Sequence, residues 1–477
     1  MPSSQKPTVV VCGAGLVGCL ISAILAKDGY EVNVYEKWGD MRAKDFVGGR
    51  SINLVLTARG LRALNIPGLE GMRDDLLKIA TPVTGRMMHS VEGDLTYTAY
   101  GKDPEECNFS ISRSELNKYL MTEAEKSGVK IHFSHGLKKV DLKNSVAHFE
   151  VASGEVVDVQ CDTILGCDGG GSAVRYAMRD HGVTNFTEDL LPDGYKELQF
   201  PKDVSGCEDM RGDALHIWAR GTHMLMGLAN LDGSFTGTFY MPKTGGKVSF
   251  EALTGEDNKQ KLADFFTESY SDAIPLLGGL EKITKEWNAN PVGILGTVRT
   301  EMWKFEDKVC LLGDSAHAIV PFFGQGCNSG FEDCLTFYKL LKKHEGNLKS
   351  VYDEFHGLRK PAGDAIANMA LENYIEMRDL VANEKFILKK RVEGVLTSHF
   401  GPEVFRSRYP MVVYSSAPYN VVEKVGVVID DIVSELCEDL KIPEDVDLEM
   451  AKQLIDTKLS PTLKEGNVDL SEDWHSL

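Results

Sequence analysis

The chain has ten cysteines among 477 residues yet no Cys-x-x-Cys pair, which excludes the common zinc-site spacings and the thioredoxin-like redox motif. Cys12, Cys167 and Cys310 fall instead inside strand-like apolar runs, the distribution of reduced, buried thiols rather than of a disulfide framework. Positive charge is in deficit. Lys and Arg number 52 against 71 Asp and Glu, a formal net charge of −19, which argues against a general nucleic-acid surface. Internal repeats and low-complexity tracts are absent, so nothing calls for a repeat array or a disordered segment. Residues 7–26 carry no charge and could pass for a membrane span or a signal peptide. Three glycines break that run, no Ala-x-Ala-like cleavage site follows, and a second strand pattern comes almost at once. Neither a span nor a processed signal is expected. Towards the end, the longest uncharged run is residues 409–422, 14 residues with two prolines, too short to span a bilayer. Val425, Val428, Ile429, Ile432, Val433 and Leu436 form an amphipathic stripe there. Its polar side carries Asp430, Asp431, Glu435 and Glu438, which anionic lipid would repel, so core packing or a protein contact is the expectation.

What is present is a set of three glycine-and-acid motifs. Thr8-Val9-Val10-Val11-Cys12 reads as a strand buried on both faces. It runs into Gly13-Ala14-Gly15-Leu16-Val17-Gly18, where Gly13 allows a tight turn, Gly15 lets backbone approach a pyrophosphate, and Gly18 lets the next helix pack on the strand. That helix, expected over residues 16–28, would aim its N-terminal N–H groups at the phosphates. The second strand, residues 31–36, ends on Glu36, about where a carboxylate meets ribose hydroxyls. The second motif is Cys167-Asp168-Gly169, after the strand pattern Thr163-Ile164-Leu165. The third, Val309-Cys310-Leu311-Leu312-Gly313-Asp314-Ser315-Ala316-His317, leads to Gly324-Gln325-Gly326-Cys327-Asn328. Asp314 would take ribityl hydroxyls, and a helix opening at Gly326 would favour negative charge on a flavin ring. Arg113 is a candidate pyrophosphate or ribityl partner. Taken together, the motifs describe a protein wrapped around one flavin dinucleotide.

Between about residues 195 and 240 the period becomes two. Leu215–Ala219, residues 224–228 and residues 235–240 read as antiparallel strands, the last two joined by a turn at Asp232-Gly233. The expected fold is α/β: a Rossmann-like FAD-binding domain with an inserted antiparallel β-sheet substrate domain and a helical C-terminal region. Residues 1–75, 104–184 and 296–365 form the first, 76–103 and 185–295 the second, and 366–477 the third.

With Gly49-Arg50-Ser51-Ile52-Asn53-Leu54, Gly85-Arg86-Met87-Met88-His89, Leu215-His216-Ile217-Trp218, Ala318-Ile319-Val320-Pro321-Phe322-Phe323-Gly324-Gln325-Gly326 and Leu371-Glu372-Asn373-Tyr374-Ile375-Glu376-Met377, the chain resembles the class A flavoprotein aromatic hydroxylases. Within them it is most similar to the branch that acts on L-kynurenine, over residues 8 to about 414. The resemblance implies FAD as cofactor, NADPH as a transient co-substrate and O2 as oxidant, with one oxygen atom passing to the ring carbon beside the amine. It implies Arg86 and Tyr100 at the substrate carboxylate, Asn373 and Tyr409 at the amino-acid end, Glu376 and Gln325 nearby, and Phe322 and Phe323 against the aniline ring. FAD would meet Val17, Tyr35, Glu36, Lys37, Trp38, Val55, Arg113, Leu137, Asp314, Cys327 and Asn328, besides Gly13, Gly15, Gly18, Asp168, Gly169 and Gly326. Taken alone, Arg86 reads as a solvated charge and Tyr100 and Tyr409 as ordinary phenols.

No protein group is expected to act as general acid or base, since the amine activates the ring. His317 is expected to hold a structural hydrogen bond. No second Gly-x-Gly-x-x-Gly follows a strand, so a separate NADPH domain is not expected, and no metal is implied. An intracellular, soluble protein is expected, with attachment to the mitochondrial outer membrane, known in animal and fungal members, as the alternative. Two other functions stay open. One is hydroxylation of another aromatic; the other is a non-enzymatic binding module of the GDP-dissociation-inhibitor type, from which bound flavin would distinguish it.

Overall fold

Thr8–Cys12 lies inside a six-stranded sheet, parallel to Glu31–Tyr35 on one side and Thr163–Gly166 on the other. Burial on both faces explains why the run shows no polar alternation: Val9, Val10 and Val11 are at most 1% exposed. Lys130–His132 extends one edge and Val309–Leu311 the other, both parallel, and the short Lys304–Phe305 closes the second edge antiparallel. Helix Leu16–Lys27 packs against Arg113–Lys126 and Gly326–Lys343. A small antiparallel sheet of His135–Asp141, Val146–Val151 and Val156–Gln160 follows the edge strand. The computed structural model describes residues 6–44, 52–101, 106–202, 210–380 and 383–471; Gly49, Arg50 and Ser51 of the sequence motif lie outside them.

The second large sheet has seven strands in the order Gly293–Thr300, Phe186–Phe200, Phe235–Pro242, Met224–Ala229, Ala214–Ala219, Gly85–His89 and Leu95–Ala99. All neighbours are antiparallel except Ala214–Ala219 with Gly85–His89. The three strands expected between residues 215 and 240 are here, and Asp232 holds the turn by accepting the Ser234 N–H. The 15-residue strand Phe186–Phe200 was not foreseen. Alternation decides the two faces of this sheet. Phe200, Trp218, Leu225, Phe235 and Phe239 pack on Phe266 and Trp287 from the helices Lys259–Ser269 and Leu280–Ala289. Met226, Leu228, Thr236, Thr238 and Tyr240 point the other way, into a cavity.

Residues 58–65 form an α-turn, Ala58–Leu61, followed by a 3-10 turn, Arg62–Asn65. Beyond residue 326 the described chain is helical. Leu348–Ile375 continues into a π-turn, Glu376–Leu380, and is followed by Glu384–Phe400, Arg408–Tyr414 and Tyr419–Leu436. Val425, Ile429, Ile432 and Val433 of the amphipathic stripe are at most 1% exposed and belong to the core, so the stripe packs within the protein. Among the described residues no helix is long and apolar enough to cross a membrane.

Candidate active site

A cavity of about 640 Å³ lies between the two large sheets. Its first wall is built by the turns that end the parallel strands. Gly13 adopts φ +100°, and a Cβ there would sit 2.5 Å from the Cys167 carbonyl oxygen, so only glycine fits. A Cβ at Gly18 would lie 2.0 Å from the Gly13 oxygen, the close helix–strand packing expected of that position. Gly15 has open space where a side chain would be, at the start of helix Leu16–Lys27 and on the cavity wall. Glu36 accepts the Ala14 N–H at 2.9 Å and the Trp38 N–H at 3.0 Å, which fixes its carboxylate at the end of its strand. Val17, Tyr35, Lys37, Trp38, Val55, Leu137, Gly169 and Cys327 complete this wall.

Asp314 and Arg113, both charged and on the wall, have no hydrogen-bond or ion-pair partner among the described residues. Asp314 opens the short helix Asp314–His317 with an exposed carboxylate, and Arg113 opens Arg113–Lys126 with an exposed guanidinium. Polar groups of opposite sign left open along a glycine-lined trough suit a ligand that has hydroxyls and a pyrophosphate. The residues present therefore fit FAD.

Behind this wall lies a buried network of charged groups. Asp333, wholly buried, accepts the Gly313 N–H at 2.8 Å, His317 Nε2 at 2.7 Å and Arg359 Nε at 2.7 Å. Burial would raise its pKa, but His317 and Arg359 outweigh it and hold the carboxyl at about 2. His317 thus has the structural bond expected of it. Glu332 bridges Arg359 and Arg59, each at 2.5 Å, and Arg59 also donates to the Val412 and Ala417 carbonyls. That network ties the flavin-motif helix to the C-terminal helices.

Asp168 and Asn328 differ from the expectation. Asp168 lines the cavity, but its carboxylate accepts from Ser172 Oγ and the Ala173 N–H, holding the start of helix Ala173–Asp180. Asn328 accepts the Thr57 N–H and donates to the Val55 and Gly324 carbonyls, so its amide staples the loop instead of facing the cavity.

The opposite wall carries Arg86. Its guanidinium lies 4.9 Å from the Tyr409 ring centroid and 5.5 Å from that of Tyr100, and its Nε is buried with no hydrogen-bond partner. Burial opposes its charge, but the two phenols prevail and its pKa stands above the ordinary value. Burial likewise pushes the Tyr100 hydroxyl up, so it stays protonated. Tyr409 stacks between Tyr100, at 5.4 Å, and Phe323, at 5.5 Å, and Phe322 lies beside Tyr240 at 5.1 Å.

Gln325, Asn373 and Glu376 are not on the wall. Gln325 accepts the Tyr419 hydroxyl at 2.8 Å, Asn373 donates to the Phe322 carbonyl at 2.7 Å, and Glu376 faces Arg408 at 3.4 Å. All three sit one layer behind. Sequence reasoning missed Leu215, Met226, Leu228, Thr236, Thr238, Tyr240, Ile319 and Met377, which do line the cavity. The alternation over residues 224–240 put five of them on strands without showing which face meets the cavity.

The FAD binding domain family matches residues 6–370. A kynurenine 3-monooxygenase of Myxococcus xanthus is 43% identical over 467 residues, covering 98% of this chain and 98% of its own length. The kynurenine 3-monooxygenase of Dictyostelium discoideum is 37% identical over 467 residues, covering 94% and 98%. Among solved structures, 2-methyl-3-hydroxypyridine-5-carboxylic acid oxygenase in its tetrameric form aligns with a TM-score of 0.62 at 19% identity, over 79% of this chain and 94% of that one. At that identity the likeness shows the fold alone.

Proposed function

Since the chain belongs to the kynurenine 3-monooxygenase family of FAD-dependent hydroxylases, we propose that it hydroxylates L-kynurenine to 3-hydroxy-L-kynurenine with NADPH and O2, a step of tryptophan degradation. Bound FAD supplies the redox chemistry, accepting a hydride from NADPH and enabling dioxygen to give one atom to the ring.

The observation that carries the substrate end is the orphaned Nε of Arg86, buried between two phenols across the cavity from the flavin motifs. A buried guanidinium with an open donor suits a carboxylate, and the Tyr100 and Tyr409 hydroxyls flank it. The aniline ring then lies along Phe322, Phe323, Leu215, Met226 and Tyr240, which orient it and keep water away. At the cofactor end, Glu36 takes the adenosine ribose, Gly13 and Gly15 and the following helix start take the pyrophosphate with Arg113, and Asp314 takes ribityl hydroxyls. The start of helix Gly326–Lys343 favours negative charge at the flavin edge. No side chain moves a proton at the reacting carbon in this reading. Gln325, Asn373 and Glu376 act by fixing the loops that carry the wall.

The activity assay is NADPH oxidation by the flavin-loaded protein with and without L-kynurenine, the product identified by mass. Stimulation with a product heavier by one oxygen supports the reading. A yellow protein that ignores kynurenine overturns the substrate, and a protein that binds no flavin favours a non-enzymatic binding module.

A further inference from the structure

Phe322 is gripped from behind by two consecutive residues of the helix Leu348–Ile375. Asn373 Nδ2 donates to its carbonyl at 2.7 Å, and the Tyr374 ring stacks on its ring, centroids 4.3 Å apart with 24° between planes. Met377, in the turn that follows, reaches the cavity wall itself. The far end of Tyr374 is fixed in turn. Its hydroxyl donates to the carboxylate of Asp193, a residue 3% exposed on the sheet strand Phe186–Phe200. Asp193 stands at the place where pairing of that strand with Gly293–Thr300 slips, between Leu190 and Gly194. Arg378 lies 3.7 Å from the same carboxylate oxygen and 5.0 Å from the Tyr374 ring centroid. Burial first, and then the adjacent carboxylate, raise the Tyr374 pKa, so the hydroxyl remains a donor. Neither Asp193 nor Tyr374 lines the cavity.

We propose that Asp193 and Tyr374 are positioning residues, through which the substrate-side sheet sets the place of Phe322 and hence the closeness of the wall around the reacting ring. This rests on the reading of the cavity as the hydroxylation site. With the ring held, kynurenine, O2, NADPH and a proton give the hydroxylated product, NADP+ and water. With the wall loosened, O2, NADPH and a proton give NADP+ and hydrogen peroxide, and the ring is left unoxidised. The pair therefore governs how the two electrons of NADPH divide between these outcomes. The buried geometry favours such a role, because a carboxylate that loses this hydroxyl donor must rearrange or take in water.

The test compares wild type with Tyr374→Phe, which keeps the stacked ring and removes the hydroxyl, and with Asp193→Asn, which keeps an oxygen acceptor for the phenol. In Tyr374→Phe, the hydrogen peroxide formed per NADPH at saturating L-kynurenine rises several-fold, the visible flavin spectrum is unchanged, and amide hydrogen exchange over residues 318–325 accelerates even without substrate. Asp193→Asn recovers most of the coupling. If Tyr374→Phe folds poorly around an unmatched carboxylate, the double variant Tyr374→Phe/Asp193→Asn removes that charge and carries the same expectation. A folded variant with wild-type exchange over residues 318–325 and a wild-type peroxide share overturns the inference. A wild type that makes no hydroxylated kynurenine overturns the site reading instead, and the exchange result still decides whether the pair holds Phe322.

Discussion

On the cofactor side of the cavity the carboxylate of Asp314 and the guanidinium of Arg113 stand open, while on the substrate side Arg86 is wedged between Tyr100 and Tyr409 with its buried Nε lacking a hydrogen-bond partner. The cofactor wall comes from tight turns, each made by a few neighbouring residues. The substrate wall is assembled from strands and loops scattered from residue 86 to residue 409. The difference follows from the ligands. A dinucleotide presents many hydroxyls and charges along its length and needs partners spaced along a trough. A small amino acid needs one strong anchor and a shaped apolar slot. The first wall is therefore fixed by glycine geometry, and the second by packing.

The sharpest way to break the contrast is at Gly18. Gly18→Ala places a Cβ 2.0 Å from the Gly13 oxygen, so helix Leu16–Lys27 must leave its strand. Purified protein is expected to lack flavin absorbance, whereas Gly394→Ala, at a helical position with open space around its Cβ, leaves it. Next in size is the support behind the cofactor wall. Asp333→Asn removes the charge shared by His317 and Arg359, and breaking a buried pair of this kind costs about 3 kcal/mol or more, read by urea unfolding. On the substrate side, Arg86→Met is expected to lower kcat/KM for L-kynurenine by about 30-fold to several thousand-fold, as losing ~2–5 kcal/mol of a buried charge contact implies, without bleaching the flavin.

The smallest effect separates the walls by pH. Burial lowers His216, in the substrate-side sheet, and His223, in the turn before its strand Met224–Ala229, from 6.5 to about 4. Between pH 6.5 and 4 the unfolded chain takes up protons there and the folded sheet does not, so stability falls as the pH drops through that window. Asp333, held at about 2, stabilises the cofactor side above 3.8 and loses that contribution only below it. Titration from neutral pH is expected to perturb the fluorescence of Trp218, in the sheet, before flavin is released. Simultaneous loss would show that one wall cannot yield without the other.

The cofactor wall was legible because strand, turn and acid are local: residues 8–36 carry their own geometry. The use of each polar atom was not. Asp168 has the residue type and place expected of a cofactor ligand, yet its carboxylate holds Ala173–Asp180. Likewise Asn373 and Gln325 reach the site through the Phe322 and Phe323 carbonyls, since which face of a helix meets which loop depends on contacts far along the chain. The period-two pattern over residues 224–240 told that strands were there but not which face opens to the cavity. That is decided by the helices Lys259–Ser269 and Leu280–Ala289 covering the other side. Arg86 acquires its meaning only beside Tyr100 and Tyr409, a juxtaposition that sequence spacing cannot show.

The most direct measurement is a binding comparison of L-kynurenine with its decarboxylated amine, on the flavin-loaded wild type and on Arg86→Met. If Arg86 anchors the carboxylate, wild type prefers L-kynurenine by about 30-fold or more and the variant loses that preference. Equal binding of the two compounds to wild type would contradict the account.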